Sequence, residues 1–256
     1  MCAKALCAKL RSALLKNLKD YCQCERVADF SDIKRELSRI KAESPVPLIG
    51  LTGGIATGKS TVSKLLMEKG ASVIDFDLLS REVTLPHMHA YKEILKEFGD
   101  AILDENGLIN RKALGAMVFK YQKMRKRLEE ITHPRIFEHY LNRLMEILSK
   151  QETSMVVADV PLLIEGGHMD LFHLVVLVYC TLDNQLKRLM ERNKISEREA
   201  MSIIKAQMPI DEKVNYSHIV ISNNGSISKL KESVDCLWKL IIQRKPLTKI
   251  PHWIGV

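Results

Sequence analysis

The run Gly53-Gly54-Ile55-Ala56-Thr57-Gly58-Lys59-Ser60 has the spacing GxxxxGK followed by a hydroxyl residue. It lies between an apolar stretch ending at Thr52 and a helical pattern opening near Lys59, which is the strand, loop and helix order the motif depends on. Glycines let successive backbone N–H groups converge on phosphate oxygens, and a helix N-terminus adds a favourable dipole. Lys59 supplies a mobile point charge for the β- and γ-phosphates, Ser60 supplies a hydroxyl for Mg2+, and Thr61 follows in the same first helical turn. These residues predict a nucleoside triphosphate site and leave the reaction open.

Three further groups bear on the reaction. Residues 72–77, Ser-Val-Ile-Asp-Phe-Asp, end a strand pattern with Asp75 and Asp77, and the C-terminal edge of a parallel sheet is where ligands bind. A carboxylate there can accept a hydroxyl proton or orient that hydroxyl for in-line attack on a phosphate. An isolated Asp pair also serves as solvated strand-end acid. Asp159 closes the apolar run 155–158, the position of an acid that holds Mg2+ through water. Arg188 and Arg192, four apart, fall on one helical face. Two guanidinium groups there can fold over phosphates and neutralise charge in the transition state, although the spacing alone reads first as a solvated basic face.

The elements that position these groups follow from periodicity. Short buried-strand candidates occur at 48–52, 72–75, 155–159, 174–179 and 218–221, and helical stretches lie between them. The first helix covers about 59–69 and closes at Gly70, and the last covers about 226–244. Between the second and third strands lies a largely helical block. It has a stretch ending at Phe98-Gly99, an Asn106-Gly107 turn, a helix after Asn110, and helices around 125–131 and 134–149. A further helix at 184–193 precedes the capping-box signature Ser196 to Glu199, behind which another runs to Met208. The pattern predicts an α/β fold of the P-loop NTPase type, with about five parallel strands covered by helices on both faces. A helical substrate-side insertion is expected at about 86–150 and a lid at about 183–208.

Ahead of this, Ser31 is read as the cap of a short helix carrying Ile33, Leu37 and Ile40 that ends near Pro45-Val46-Pro47. That break divides an extension, 1–45, from a catalytic domain, 46–256. The first nineteen residues lack acids and set Leu6, Leu10, Leu14 and Leu18 four apart among five basic residues, a basic amphipathic helix. Mitochondrial targeting, a membrane-surface contact and packing on the body or on a partner protein all fit it.

With 256 residues, 46% of them hydrophobic, the chain can bury a large core. The net charge is +8, and residues 1–44 hold ten Lys/Arg against six Asp/Glu, or +4, so the longer remainder is only mildly basic. No dense basic run, aromatic-interleaved basic stripe or zinc-finger spacing points to nucleic acid. Four of the six cysteines, Cys2, Cys7, Cys22 and Cys24, crowd the first twenty-four residues rather than forming a disulfide framework, which predicts a reducing compartment. Cys22 and Cys24 lack nearby partners to complete a zinc site. No apolar run approaches the roughly 20 residues of a membrane span, so a cytoplasmic protein is expected, or a mitochondrial one if 1–45 is an address.

Five segments, in order, resemble the dephospho-CoA kinases. They are Leu-Thr-Gly-Gly-Ile-Ala-Thr-Gly-Lys-Ser at 51–60, and Val-Ile-Asp-Phe-Asp at 73–77 with Arg81, similar to a VIDxD segment and its following arginine. Ile-Thr-His-Pro at 131–134 is similar to an xxHP helix junction, and Asp-Val-Pro-Leu-Leu-Ile-Glu at 159–165 to a DxPLLxE signature. The last is the lid-like stretch 185–193, closed by Ala206-Gln207. The resemblance covers about 48–244. It implies ATP and Mg2+ as cofactors, dephospho-CoA as acceptor, and phosphorylation of its ribose 3′-hydroxyl to give coenzyme A. By the same resemblance Asp77 is the base or hydroxyl-orienting residue, and Arg81, His133 and the loop with Pro161, Leu162 and Glu165 face the acceptor. His133 also reads as a neighbour of a helix start at Pro134. Asn223, in Asn-Asn-Gly after the last strand, resembles an adenine-side segment and is equally an ordinary turn; Ser222 stands where the family commonly has aspartate. The first 45 residues are too few for an adenylyltransferase domain, so a fusion of two activities is not expected. The alternatives are another metabolite kinase on the same scaffold and a nucleotide-binding module that recruits a partner.

Overall fold

The computed structural model describes residues 29–243 and 251–255. The basic amphipathic segment over the first nineteen residues, the four N-terminal cysteines and the expected end of the last helix at Arg244 lie outside the described residues. The chain divides into two compact units. Among the described residues a sheet unit comprises Ile40–Asp75 with 150–243 and 251–255, and a helical unit comprises 29–39 with Phe76–Ser149.

In the sheet unit six parallel strands lie in the order β2-β3-β1-β4-β5-β6. They are β1 (Leu48–Gly53), β2 (Ser72–Asp75), β3 (Val156–Asp159), β4 (Leu174–Tyr179), β5 (Ile219–Ser222) and β6 (His252–Ile254). The central strands are near-continuous Val, Ile and Leu runs, as strands covered on both faces require; β1 and β3 are buried along their whole length. Helices α2 (Lys59–Glu68) and α10 (Ile227–Ile242) share one core with the sheet, in which Val62, Leu66, Leu230, Val234 and Leu237 meet Ile49, Leu51, Val157 and Val176. Gly50 admits no side chain, because a Cβ there would lie 2.6 Å from Leu163 Cδ2 and 2.9 Å from the Phe172 ring. The loop after β3 therefore packs directly on the backbone of β1.

Five strands were expected and six are present among the described residues. The sixth is three residues long, follows Pro251 and precedes Gly255. It is too short for its alternation to register, and an edge strand tolerates a neighbouring proline. Its anchoring is tertiary: Ile254 is buried, and Trp253 packs edge-on to Tyr179 with ring centroids 5.1 Å apart.

The helical unit contains α3 (Phe76–Glu82), α4 (His89–Phe98), α5 (Arg111–Lys120) and most of α6 (Gln122–Lys150). Val83, Ala90, Ile94, Ile102, Leu114 and Ile131 form its core. Phe30, Phe76, Phe137 and Tyr140 form an aromatic cluster, with Phe76 and Tyr140 centroids 5.0 Å apart. Asn110 caps α5 by accepting from the N–H groups of Lys112 and Ala113.

Two expectations are corrected here. The helices expected at 125–131 and 134–149 are one helix of 29 residues with Pro134 inside it, so His133 does not adjoin a helix start. Proline costs a helix interior about 3 kcal/mol, and burial on both sides of it, at Ile131, Phe137, Tyr140 and Leu141, offsets that cost. The first described helix, α1 (Phe30–Glu43), is capped by Asp29 rather than Ser31: the Asp29 carboxylate accepts from Ser31 N–H at 3.1 Å. Among the described residues no helix is long and apolar enough to cross a membrane.

Candidate active site

The glycine-rich loop leaves β1 where the sheet order switches, between β3 and β4. Its turn is built from left-handed residues, Ala56 at φ 60° and Gly58 at φ 91°. Thr57 folds back so that its hydroxyl and its N–H both donate to Gly54 O, at 2.9 and 3.3 Å. Helix α2 starts at Lys59 with no side-chain cap, so the loop backbone and the first helical N–H groups face the same end of the sheet.

Around this loop the sheet unit brings together residues distant in sequence. β3 pairs with β1 so that Asp159 lies opposite Leu51, and its buried carboxylate takes the Lys59 ammonium on one oxygen and the Ser63 hydroxyl on the other. Asn223 is buried and donates to Thr57 O at 2.7 Å, while Arg188 donates to Asn223 O at 2.8 Å. A Cβ at Gly58 would come within 2.3 Å of Asn223 Nδ2, so the left-handed φ and the close approach both call for glycine. Arg192 stays exposed near the end of α7 (Leu182–Asn193), its Nε donating to Asn193 Oδ1 at 3.0 Å. Ser60 is exposed in the first turn of α2. In the 159–165 loop, Pro161 O accepts from the Thr52 hydroxyl at 3.2 Å, and Leu162 is 49% exposed. The Glu165 carboxylate pairs with Lys213 at 2.7 Å and accepts from Met208 N–H at 3.3 Å.

In the helical unit Asp77 and Arg81 stand on α3, and a residue not singled out in the sequence joins them. Arg111, the first residue of α5, donates to Thr84 Oγ1 at 2.8 Å and Ser80 O at 3.3 Å. Its pKa is lowered, first by burial and then by the Arg81 charge, against which Asp77 acts. Two guanidinium groups close to one carboxylate leave an excess of positive charge that suits an anion. His133, partly buried within α6, has its pKa lowered by burial; Glu129 opposes this and Lys34 adds to it.

Lys213, Gln185, Ser63 and Arg111 went unread in the sequence. Lys213 sits in Ile-Asp-Glu-Lys-Val, the five-residue helix α9 (Ile210–Val214), where a lysine reads as solvated. Gln185 lies in the lid-like segment, yet it is buried, and its Oε1 would be 2.9 Å from a Cβ at Gly54. Only the Asn106-Gly107 turn and the helical pattern after Asn110 marked where the helix carrying Arg111 begins.

A family model for dephospho-CoA kinase matches residues 47–229. The dephospho-CoA kinase of Carboxydothermus hydrogenoformans is 42% identical over 189 residues, covering 74% of this chain and 91% of that protein. That of Geobacter metallireducens is 44% identical over 199 residues, covering 78% and 98%. Among solved structures, a Thermus thermophilus protein is 33% identical with a TM-score of 0.65 and coverage of 75% and 96%. Dephospho-CoA kinase from Campylobacter jejuni is 28% identical with a TM-score of 0.57 and coverage of 77% and 98%. With a parallel sheet carrying the loop at its switch point and a family match over most of its length, the chain belongs to the dephospho-CoA kinase family.

Proposed function

We propose that this protein transfers the γ-phosphate of ATP to the ribose 3′-hydroxyl of dephospho-CoA, giving coenzyme A. The observation that carries the reading is the family match over 47–229, which takes in both the phosphate loop and the acceptor-side segments. Residues 53–61 receive the triphosphate, and Lys59 moves between Asp159 and the phosphates. Arg188 and Arg192 neutralise charge from the lid, and Asn223 supports the loop from the adenine side. Asp77 orients the 3′-hydroxyl and accepts its proton, while Arg81, His133, Pro161, Leu162 and Glu165 shape the acceptor side. Arg111 joins Arg81 as a second cation for the acceptor's anionic groups.

Mg2+ fits the donor set. Ser60 offers a hydroxyl and Asp159 a carboxylate, both hard oxygen donors, and among the described residues no cluster of three or more His, Cys, Asp or Glu forms a closed metal cage. A magnesium ion that keeps most of its water and binds chiefly to phosphates needs no such cage; when bound, it neutralises charge between the β- and γ-phosphates. Residues 46–256 are the kinase and 1–45 an extension, which serves as an organellar address or as a contact with a membrane surface or a partner protein. A reporter fused to residues 1–45 separates these: organellar import supports the address, signal at a membrane the surface contact, and diffuse signal a partner-protein or packing role.

The deciding experiment follows ADP and coenzyme A formation by the purified protein with Mg-ATP and dephospho-CoA, beside nucleosides and pantetheine. Coenzyme A formation with dephospho-CoA alone is the expected outcome. ATP binding with no turnover on dephospho-CoA rejects the substrate assignment and leaves a nucleotide-binding module.

A further inference from the structure

A lysine ammonium is rarely buried completely, and Lys213 has no exposed surface at all. Its Nζ is 2.7 Å from Glu165 Oε1 and donates to Gly53 O at 3.3 Å. The same Glu165 oxygen accepts from Met208 N–H. One residue before Met208, Gln207 Oε1 accepts from Ile55 N–H at 3.0 Å, and Ile210 Cδ1 would lie 3.4 Å from a Cβ at Gly54. Residues 207–213, which follow α8 (Glu197–Lys205) of the lid-like segment, are thus fastened to the first three residues of the phosphate loop and to the end of the DxPLLxE segment.

Stability alone does not account for such a residue. Taking the Lys213 ammonium out of water costs several kcal/mol, even beside the exposed Glu165 carboxylate, and a well-packed apolar side chain of similar volume does as well or better. What the ammonium supplies is direction. Gly53 ends β1, and its carbonyl starts the loop; the 53–54 peptide is planar and trans, so turning Gly53 C=O toward Lys213 turns Gly54 N–H to the opposite side. A methionine in the same place fills the space and leaves that peptide plane free.

We propose that Lys213 is a positioning residue for phosphoryl transfer. It sets the first peptide of the phosphate loop and couples it, through Glu165, to the foot of the lid, so that nucleotide binding and lid placement are linked. The proposal rests on the kinase reading above and adds a residue and a coupling to it. A buried ammonium spanning two loops and a helix holds one arrangement of all three, because losing the Glu165 contact strands the Lys213 charge.

The test compares the full-length wild type with K213M, E165Q and K213M/E165Q by thermal unfolding, by calorimetric ATP binding and by separate KM values for ATP and dephospho-CoA. K213M is expected to unfold near the wild-type temperature, because the exposed Glu165 is solvated without its partner, and to weaken ATP binding by about ten- to a hundredfold; E165Q, which strands the buried Lys213 charge, unfolds at lower temperature. The KM of K213M for dephospho-CoA should move less than its ATP affinity, since Lys213 touches the phosphate loop directly and reaches the acceptor side only through Glu165. Removing both charges in K213M/E165Q restores the unfolding temperature lost in E165Q without restoring ATP affinity. Recovery of ATP affinity along with stability overturns the proposal, as does a K213M protein that binds ATP as well as the wild type.

Hydrogen exchange on the wild type decides the matter even if K213M does not fold: ATP should slow exchange at the phosphate loop and at the Met208 amide together. Slowing at the loop with none at Met208 removes the coupling. Neither ATP binding nor exchange involves the acceptor, so a wild type inactive on dephospho-CoA sinks the substrate assignment and leaves the Lys213 test intact.

Discussion

Asp159 receives Lys59 from 100 residues away and Ser63 from 96 residues away, so the charge state of one side chain fixes where the loop lysine rests. Exchanging Lys59 for methionine removes the only side-chain cation within the motif and should abolish detectable coenzyme A formation while the fold persists, a result readable from product assay and circular dichroism together. At Asp77 the expected cost is in kcat, by about 10²- to 10⁴-fold for Asp77→Asn, with KM for ATP little changed. A fall in ATP affinity instead would place Asp77 in nucleotide binding. Asn223 is a different case. Its side chain donates to Thr57 O inside the loop, so Asn223→Ala leaves a buried carbonyl unsatisfied, a cost of about 1–3 kcal/mol. Weaker ATP binding and a lower unfolding midpoint should appear together. The motif residues were legible because their geometry is local. Asn223 was singled out for a family likeness near adenine, whereas its contact with the loop depends on residues 166 apart, which no spacing rule reaches.

At the scale of elements, Pro134 and the edge histidines carry testable consequences. Pro134→Ala in the middle of α6 should raise stability by about 1–3 kcal/mol in denaturant titration, because alanine restores the missing N–H and relieves the clash with the preceding turn. At the N-terminal edge of the sheet, Leu48 N–H donates to His173 Nδ1 at 2.9 Å, and Val175 N–H donates to His218 Nδ1 at 3.1 Å. The imidazole N–H of each of these two rings is therefore on Nε2, since Nδ1 accepts. The pKa of His218 is lowered from 6.5, by burial first and by Lys41 second; Lys41, Asp170 and Tyr216 line the cleft beside it. A histidine whose folded pKa lies below its unfolded one takes up its proton more readily unfolded. Its contribution is therefore full above about pH 6.5 and is lost as pH falls below that value toward the folded pKa. Unfolding midpoints should fall over that window in the wild type and fall less in His218→Asn. The strands and most helices were legible from periodicity because each buries a continuous face. The single helix through Pro134 was not, because what overrides the local penalty is a tertiary core.

For the whole molecule, the chain passes between the two units at 39–40, 75–76 and 149–150, and the second of these crossings separates Asp75 from Asp77. Helix α1 lies ahead of the residues that match the family model, yet Ile33, Leu37 and Ile40 are each at most 3% exposed. A chain beginning at Val46 should therefore be destabilised by several kcal/mol, at about 1.5–3 kcal/mol for each buried side chain, as measured by urea unfolding against a chain beginning at Asp29. Equal midpoints would show that α1 contributes no stability.

By itself the sequence determined the phosphate loop, the parallel α/β class, the capping box at Ser196 and the family resemblance, because each is written in residues close together or in a fixed order along the chain. The tertiary structure decided which distant groups serve that loop: Asp159 and Ser63 against Lys59, Asn223 beneath Thr57, and Lys213 between Glu165 and Gly53; within the helical unit it brought Arg111 under the charge of Arg81. A lysine in an acidic helical pentapeptide reads as a surface charge. Only when β1, the 159–165 loop and α9 close around it does its burial become visible, and with burial the need for a partner.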